Sequence, residues 1–398
     1  MGGYVIILFY CITCIVSALY MLNTGMYGGE AYSVGRVHFS FIEIIIHLLI
    51  VVFGYFYIYH FYNRTKDKKT KYKIRCNVKR LDKLYFIFLI ISWVLFVTAG
   101  VGSVVGGGKS SLSFIGAILN VRTLFPFYYI LARRKGLFYP LNILLFCGLR
   151  LSQGWTGFFW DLMLMEVLIR FQNFRFQNFR FNRIRIGYAI IIPFVIIYGG
   201  GLVYSLIYPI KQYIRFKQIT FETLTIEEGV NKLLDRITFF SQSLASIQTV
   251  DLTARVYQTY SHTFGEVKAI FRPLIPGFMM DKDFASLSLC IKQSFVDYEA
   301  EGTSLNVGIF SYGYNLMKSD FLSFIIWIIL MVILFKIFSL IIRSLDSKHK
   351  HVLYFILVLN VYNLGSIETI YSYMYLTLLY MCPIFLVTRT VKIVKLAN

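Results

Sequence analysis

The sequence predicts an all-α polytopic membrane protein: a bundle of about ten (10–12) transmembrane helices with one large, mainly helical loop on the outer side. Three observations lead there. Of 398 residues 57% are hydrophobic and 15% charged, with a mean hydropathy of +0.64, too little polar surface to cover a soluble fold. The apolar residues fall in runs close to the roughly 20 needed to cross a hydrocarbon core. The 40 Lys and Arg outnumber the 20 Asp and Glu and cluster in alternate short connections between those runs. With no basic domain, the +20 charge does not point to nucleic acid as a partner.

In chain order, runs occur at 3–22, 40–62, 84–105, 112–132, 137–150, 155–171 and 187–208, then at 321–343, 351–365 and 369–388. Three of them, 137–150, 155–171 and 351–365, are short and are expected to tilt, break or extend into adjacent loops. The chain thus divides into residues 1–208 with helices one to seven, 209–320 as the large loop, and 321–398 with helices eight to ten and a tail. Asn63–Lys83 carries ten Lys and Arg, Ala132–Gly136 three, Arg170–Arg185 five, Arg343–Lys350 three and the tail three. These connections are assigned to the cytoplasm with both termini, and the remaining ones to the outside. On this topology Cys290 reacts with an impermeant thiol reagent from outside and Cys76 does not. Cys11 and Cys14 form a C-x-x-C inside an apolar run, which reads as packing. The first run lacks a basic leader and a cleavage site, so a retained span is expected.

The large loop contains 11 of the 40 basic and 12 of the 20 acidic residues. Thr225-Ile-Glu-Glu228 is a capping box, after which Val230, Leu233, Leu234, Ile237, Phe240, Leu244 and Ile247 recur at helical spacing. A second match, Thr263-Phe-Gly-Glu266, opens a helix that ends before Pro273 and leaves Arg272 at its terminus. The tandem FQNFR at Phe171–Phe181 reads as an interfacial anchor.

Five ionisable residues lie within apolar runs, Glu43, Arg122, Asp161, Glu166 and Lys336, where each costs about 2.5–3.5 kcal/mol at the centre. Counted along unbroken helices, Arg122 and Glu166 share a depth and are expected to pair. Glu43, His47 and Asp161 are expected to line an outward cavity, and Lys336 to snorkel. The outer arginines are Arg36, Arg150, Arg215, Arg236, Arg255 and Arg272. Their planar forks suit a lipid-linked pyrophosphate at the membrane surface, with Arg272, Arg150, Arg215 and Arg255 converging on it. Asp281-Lys282-Asp283 is too short a match to require a metal, and Lys282 serves equally as a phosphate ligand. No metal or cofactor is expected. Walker A, Rossmann, H-E-x-x-H and G-x-S-x-G patterns are missing, which removes ATP-driven, nicotinamide, zinc-protease and serine-hydrolase readings.

Three stretches carry a resemblance: Gly148-Leu-Arg150-Leu-Ser-Gln153-Gly154-Trp-Thr-Gly157, then Arg272-Pro-Leu-Ile-Pro276-Gly277 with Asp281-Lys282, then Glu301-Gly-Thr-Ser-Leu-Asn-Val-Gly308 with Tyr312-Gly-Tyr. With the layout of many spans around one large late loop, the chain resembles the bacterial O-antigen polymerases, or Wzy-type repeat-unit polymerases. The resemblance implies a GT-C-like glycosyltransferase of the bacterial inner membrane that uses no nucleotide sugar. It would join undecaprenyl-pyrophosphate-linked oligosaccharides at the periplasmic face, beside a chain-length-regulating co-polymerase. Such a reaction needs donors for the leaving pyrophosphate and a base for the acceptor hydroxyl. Arg272 and Arg150 are assigned to catalysis, and Arg215, Arg255, Arg236 and Lys282 to pyrophosphate binding. His262, Glu299, Glu301 and Asp161 compete for the base, His262 favoured by its place ten residues before Arg272. The alternative is a lipid-linked oligosaccharide flippase.

Overall fold

The structure, a computed structural model, describes residues 2–66, 70–103, 112–133, 135–155, 157–171, 198–210, 213, 225–230, 239–260, 266, 285–295, 307–366, 373 and 385–395. The first half contains α1 (Gly2–Thr24), α2 (Phe41–Lys66), α3 (Val78–Ala99), α4 (Ser113–Leu119), α5 (Val121–Ala132), α6 (Tyr139–Ser152) and α7 (Phe158–Phe171). Residues 198–210 are also helical. Four shorter helices follow, α8 (Phe240–Gln248), α9 (Val250–Tyr260), α10 (Leu287–Phe295) and α11 (Gly308–Ser319), and then α12 (Phe321–Ser344) and α13 (Lys350–Leu364). Among the described residues five stretches are long and apolar enough to cross a membrane: Ile6–Thr24, Phe41–Phe61, Val78–Ala99, Phe114–Ala132 and Phe321–Ser344. The protein is therefore an α-helical, multi-pass membrane protein. Helix α6 has 14 residues, about 21 Å at 1.5 Å per residue, and falls short of a full hydrocarbon crossing as its sequence implied; α7 is described over 14 residues.

The ends of the long helices follow local chemistry. Ser40-Phe-Ile-Glu43 is a capping box: Glu43 accepts from the Ser40 N–H (2.7 Å) and hydroxyl (2.8 Å). Glu43 thus caps the start of α2 from an exposed position, a role not expected from sequence. The Asn77 side chain caps α3 by accepting from the Arg80 N–H at 3.3 Å, and Gly100, at φ 65°, closes that helix with its N–H on Phe96 O. The run at 112–132 is not one helix. At Asn120, φ 23°, the backbone N–H ends α4 on Gly116 O while the side chain opens α5, accepting from the Thr123 N–H (3.2 Å) and hydroxyl (2.8 Å). The capping box at Thr225 is formed as predicted, with Glu228 accepting from the Thr225 N–H at 2.8 Å.

Packing between spans relies on aromatic stacking and on one close backbone approach. Phe125 stacks on Phe146 at 3.8 Å and Tyr85 on Tyr128 at 4.1 Å, joining α5 to α6 and α3. At Gly54 on α2 a Cβ would meet the Tyr362 hydroxyl at 2.3 Å, so glycine lets α13 approach until that hydroxyl donates to Val51 O at 2.7 Å.

At one end of the bundle the basic connections come together. Tyr72–Cys76 and Val391–Lys395 form an antiparallel two-stranded sheet, β1 and β2, in a fold read from sequence as wholly helical. β1 alternates Lys73 and Arg75 with Tyr72, Ile74 and Cys76, the period-2 signal of a strand, whereas β2 carries its lysines at 392 and 395 and shows no such alternation. The Asp346 N–H donates to Ile74 O at 2.9 Å, and Arg75 lies 3.6 Å from Asp346, which brings the connection before α13 to the same place. At the opposite end α8 is clasped by the loop between α1 and α2. The Gln248 amide oxygen accepts from the Tyr27 hydroxyl (2.6 Å) and the His38 N–H (2.9 Å), while its nitrogen donates to Arg36 O (3.1 Å).

Candidate functional site

The stretch Gly148–Gly157 builds one tight corner between α6 and α7. Arg150 lies in the last turn of α6, and Gly154, at φ 83°, turns the chain back so that the Trp155 N–H donates to Arg150 O at 2.9 Å. The Asp161 N–H then bonds Gly157 O at 3.3 Å, which sets that carboxylate in the first turn of α7. Two further bonds fix the corner to the end of α3: Trp155 Nε1 donates to Gly102 O (3.0 Å) and Gln153 Nε2 to Val101 O (3.2 Å). Gly102 has φ 82°, and a Cβ there would stand 2.6 Å from the Gln153 side chain.

Arg122 enters from α5. The break at Asn120 makes it the second residue of a new helix, with its guanidinium carbon 5.7 Å from the Trp155 ring centroid. The carbon of Arg150 is 5.2 Å from the same centroid. Two cations therefore share one indole, within the range of a cation–π contact. Arg122, Arg150 and Asp161 are also within electrostatic range of one another. Among the described residues no carboxylate lies within 4.0 Å of either guanidinium. Arg150 is only 8% exposed; its Nη1 donates to Gln153 Oε1 at 2.8 Å, but its buried Nε has no hydrogen-bond partner among the described residues. The cluster thus sets two cations beside one carboxylate, with the Arg150 fork bonded to Gln153 through Nη1 and unpartnered at Nε among the described residues.

Glu166 belongs elsewhere, contrary to the expected pairing with Arg122. It accepts from Arg133 through both oxygens, from the Tyr129 hydroxyl, and from Arg170 Nε at 3.3 Å. The reason is the break at Asn120. Helices α5 and α7 run in the same direction, so Arg122 at the start of α5 is level with the start of α7, and Glu166 with the end of α5. His47, expected beside Asp161, is buried with Nε2 2.8 Å from the Ser243 hydroxyl, which in turn contacts Ser311.

Of the other predicted site residues, Arg255 is exposed on α9, and Arg36 is exposed beside its bonded carbonyl. His262, Arg272, Glu301, Glu299, Arg215, Arg236 and Lys282, with Asp281 and Asp283, lie outside the described residues. Among the described residues no group of three or more His, Cys, Asp or Glu is placed to hold a metal ion. Glu266, the second capping-box glutamate, is buried and accepts from the Leu287 N–H and from the Tyr312 hydroxyl (2.8 Å), tying the start of α10 to α11. Cys290 on α10 is wholly buried and its thiol is pushed up to about 12 by desolvation, so its expected reactivity from outside is corrected: no reagent reaches it.

Sequence reasoning overlooked the role of Trp155, although it sat inside the quoted motif. An aromatic residue five positions after an arginine and just after a glycine turn was the available signal. Asp82 was overlooked too. Buried at 1% exposure, it accepts from the Tyr128 hydroxyl (2.6 Å) and the Phe138 N–H (2.6 Å). In comparisons with known proteins, the chain matches no family model, no curated protein and no solved structure at a significant level.

Proposed function

We propose that this chain is a membrane glycosyltransferase of the O-antigen polymerase kind, joining undecaprenyl-pyrophosphate-linked oligosaccharide units at the outer face of a bacterial inner membrane. The observation that carries the reading is the pair Arg122 and Arg150, which share the Trp155 ring with no carboxylate within 4.0 Å among the described residues, Arg150 being buried, where a cation is costly unless paired. In the reaction the acceptor hydroxyl attacks the anomeric carbon of the donor glycan, whose bond to the pyrophosphate breaks. Charge then builds on the leaving group, where two guanidinium forks stabilise it more in the transition state than before it. The acceptor's proton goes to a base. Asp161 is the described carboxylate within range of the arginines, and His262 and Glu301 compete with it from the large loop.

The reading includes ten spans, residues 209–320 as a periplasmic loop, both termini in the cytoplasm, Arg272, Arg215, Arg236, Arg255 and Lys282 as further phosphate ligands, and a chain-length-regulating co-polymerase as partner. These rest on the basic-loop pattern and on the resemblance of the motifs. A second reading, a lipid-linked oligosaccharide flippase, is favoured by one observation: the helix break at Asn120 inside a membrane-length run, a feature of transporter binding sites.

The deciding experiment expresses Arg150→Gln and Arg122→Gln in cells lacking the native gene and follows both polymer length and the side on which single repeat units accumulate. The polymerase reading expects inserted protein, no long polymer, and single units already outside. Units trapped on the cytoplasmic side would favour the flippase, and normal polymer from both variants would overturn the site.

A further inference from the structure

Two guanidinium groups repel, yet Arg122 and Arg150 meet at one ring. Each carbon is within 6 Å of the Trp155 centroid, at 5.7 and 5.2 Å, so the two charges are at most about 11 Å apart whichever faces they take. The ring itself cannot drift. Its backbone N–H is bonded to Arg150 O and its Nε1 to Gly102 O, one anchor on α6 and one at the end of α3. The indole is therefore a fixed point of contact shared by side chains from two different helices. Arg150 is held at its other edge by Gln153, leaving its buried Nε unpartnered among the described residues.

We propose that Trp155 is a positioning residue that sets the separation of Arg122 and Arg150 and so makes the cluster select diphosphate over monophosphate. A diphosphate offers one phosphate to each fork, with charge-assisted bonds of about 2.7–2.9 Å at both ends. A monophosphate has to share its oxygens between two forks that the ring keeps apart. This rests on the reading of the cluster as a pyrophosphate site and deepens it by naming what tells one phosphate from two.

The test uses the full chain in detergent, titrated with inorganic pyrophosphate and with inorganic phosphate, for the wild type, Trp155→Phe, Trp155→Leu and Arg150→Gln. The wild type is expected to prefer pyrophosphate by about tenfold or more, and Trp155→Phe, which keeps a π face, to retain most of that preference. Trp155→Leu should lose about tenfold in pyrophosphate affinity with little change for phosphate, while Arg150→Gln weakens both. An unchanged preference in Trp155→Leu, or no preference in the wild type, overturns the proposal. Should Trp155→Leu fail to fold, the wild type still decides: pyrophosphate must alter the indole emission by an amount missing from Trp155→Phe, and no such difference sinks the idea. Binding as expected with normal polymer from Arg150→Gln would refute the polymerase reading and leave the role of Trp155 standing.

Discussion

Two charged clusters, one at each end of the short helices α5 and α7, use the same residue types in opposite ways. At the basic end Glu166 is enclosed by Arg133, Arg170 and the Tyr129 hydroxyl, with side-chain exposures of 15% for Arg133 and 29% for Glu166. Nearly every polar atom of that carboxylate has a partner, and the bidentate fork fixes its direction. At the other end Arg122 and Arg150 face one Asp161 with no ion pair within 4.0 Å among the described residues, and they lean on an indole instead. The difference teaches where structure ends and function begins. A satisfied charge cluster holds helices together, and an unsatisfied one is where the proposed reading puts its ligand.

The comparison breaks outright if the two ends do not face opposite sides of a membrane. Since Cys290 is buried and Cys76 half-buried with its thiol pushed up to about 12 by desolvation, native cysteines are poor reporters. Exposed positions are better. Arg255→Cys should react with an impermeant reagent in intact cells, and Lys73→Cys only after the membrane is opened. Labelling of both from one side would remove the distinction altogether.

The next largest effect is on stability at the basic end. Glu166→Leu strands Arg133 and removes the acceptor of Tyr129, which should cost about 3 kcal/mol in detergent unfolding, near the lower limit for breaking a buried pair. Arg133→Leu should cost somewhat less, because Arg170 remains beside the carboxylate. A loss under about 0.5 kcal/mol in both would mean that the network is as weak as a surface ion pair.

At the other end the sign reverses. Asp161→Asn removes the one described anion beside the arginines and should tighten pyrophosphate binding by roughly tenfold, one charge at moderate effective dielectric. Weaker binding in that variant would show that Asp161 positions the arginines and does not compete for them. The smallest change in stability belongs to Arg122→Leu, expected at no more than about 0.5 kcal/mol while the pyrophosphate response is lost, since the exposed Arg122 has no carboxylate within 4.0 Å to strand among the described residues. A cost of 2 kcal/mol or more would make Arg122 a structural residue like Arg133.

Much of this was legible in the chain before folding. Arg150 and Asp161 stood out as ionisable residues at or inside apolar runs, and the short distance between them in sequence already made a corner. The basic connections announced the end at which they now meet. Arg122 was misread because depth was counted along an unbroken helix, and an asparagine at φ 23° leaves no mark as plain as proline or glycine. Ser40 and Glu43 spell a capping box that was passed over because the glutamate was counted as membrane-embedded. Burial of Cys290 could not be read, since it depends on how α9, α10 and α11 pack, a tertiary outcome that helical periodicity alone does not fix.

The sheet formed by β1 and β2 sets an order of events. Residues 72–76 leave the ribosome long before 391–395, so the first strand waits through that interval with an unpaired edge. Its lysine and arginine are then guardians during that interval, since charged side chains on an open edge discourage pairing with another nascent chain. When β2 arrives it closes the basic end around the start of α3, with the Asn77 N–H on Thr390 O at 2.7 Å and Arg80 reaching the carbonyls of Thr388 and Arg389. Ribosome-stalled chains shortened before Val391 should therefore stay open to protease at residues 72–76, and those extended past Lys395 should be protected, which makes the strand pair a clock for closure of the basic end.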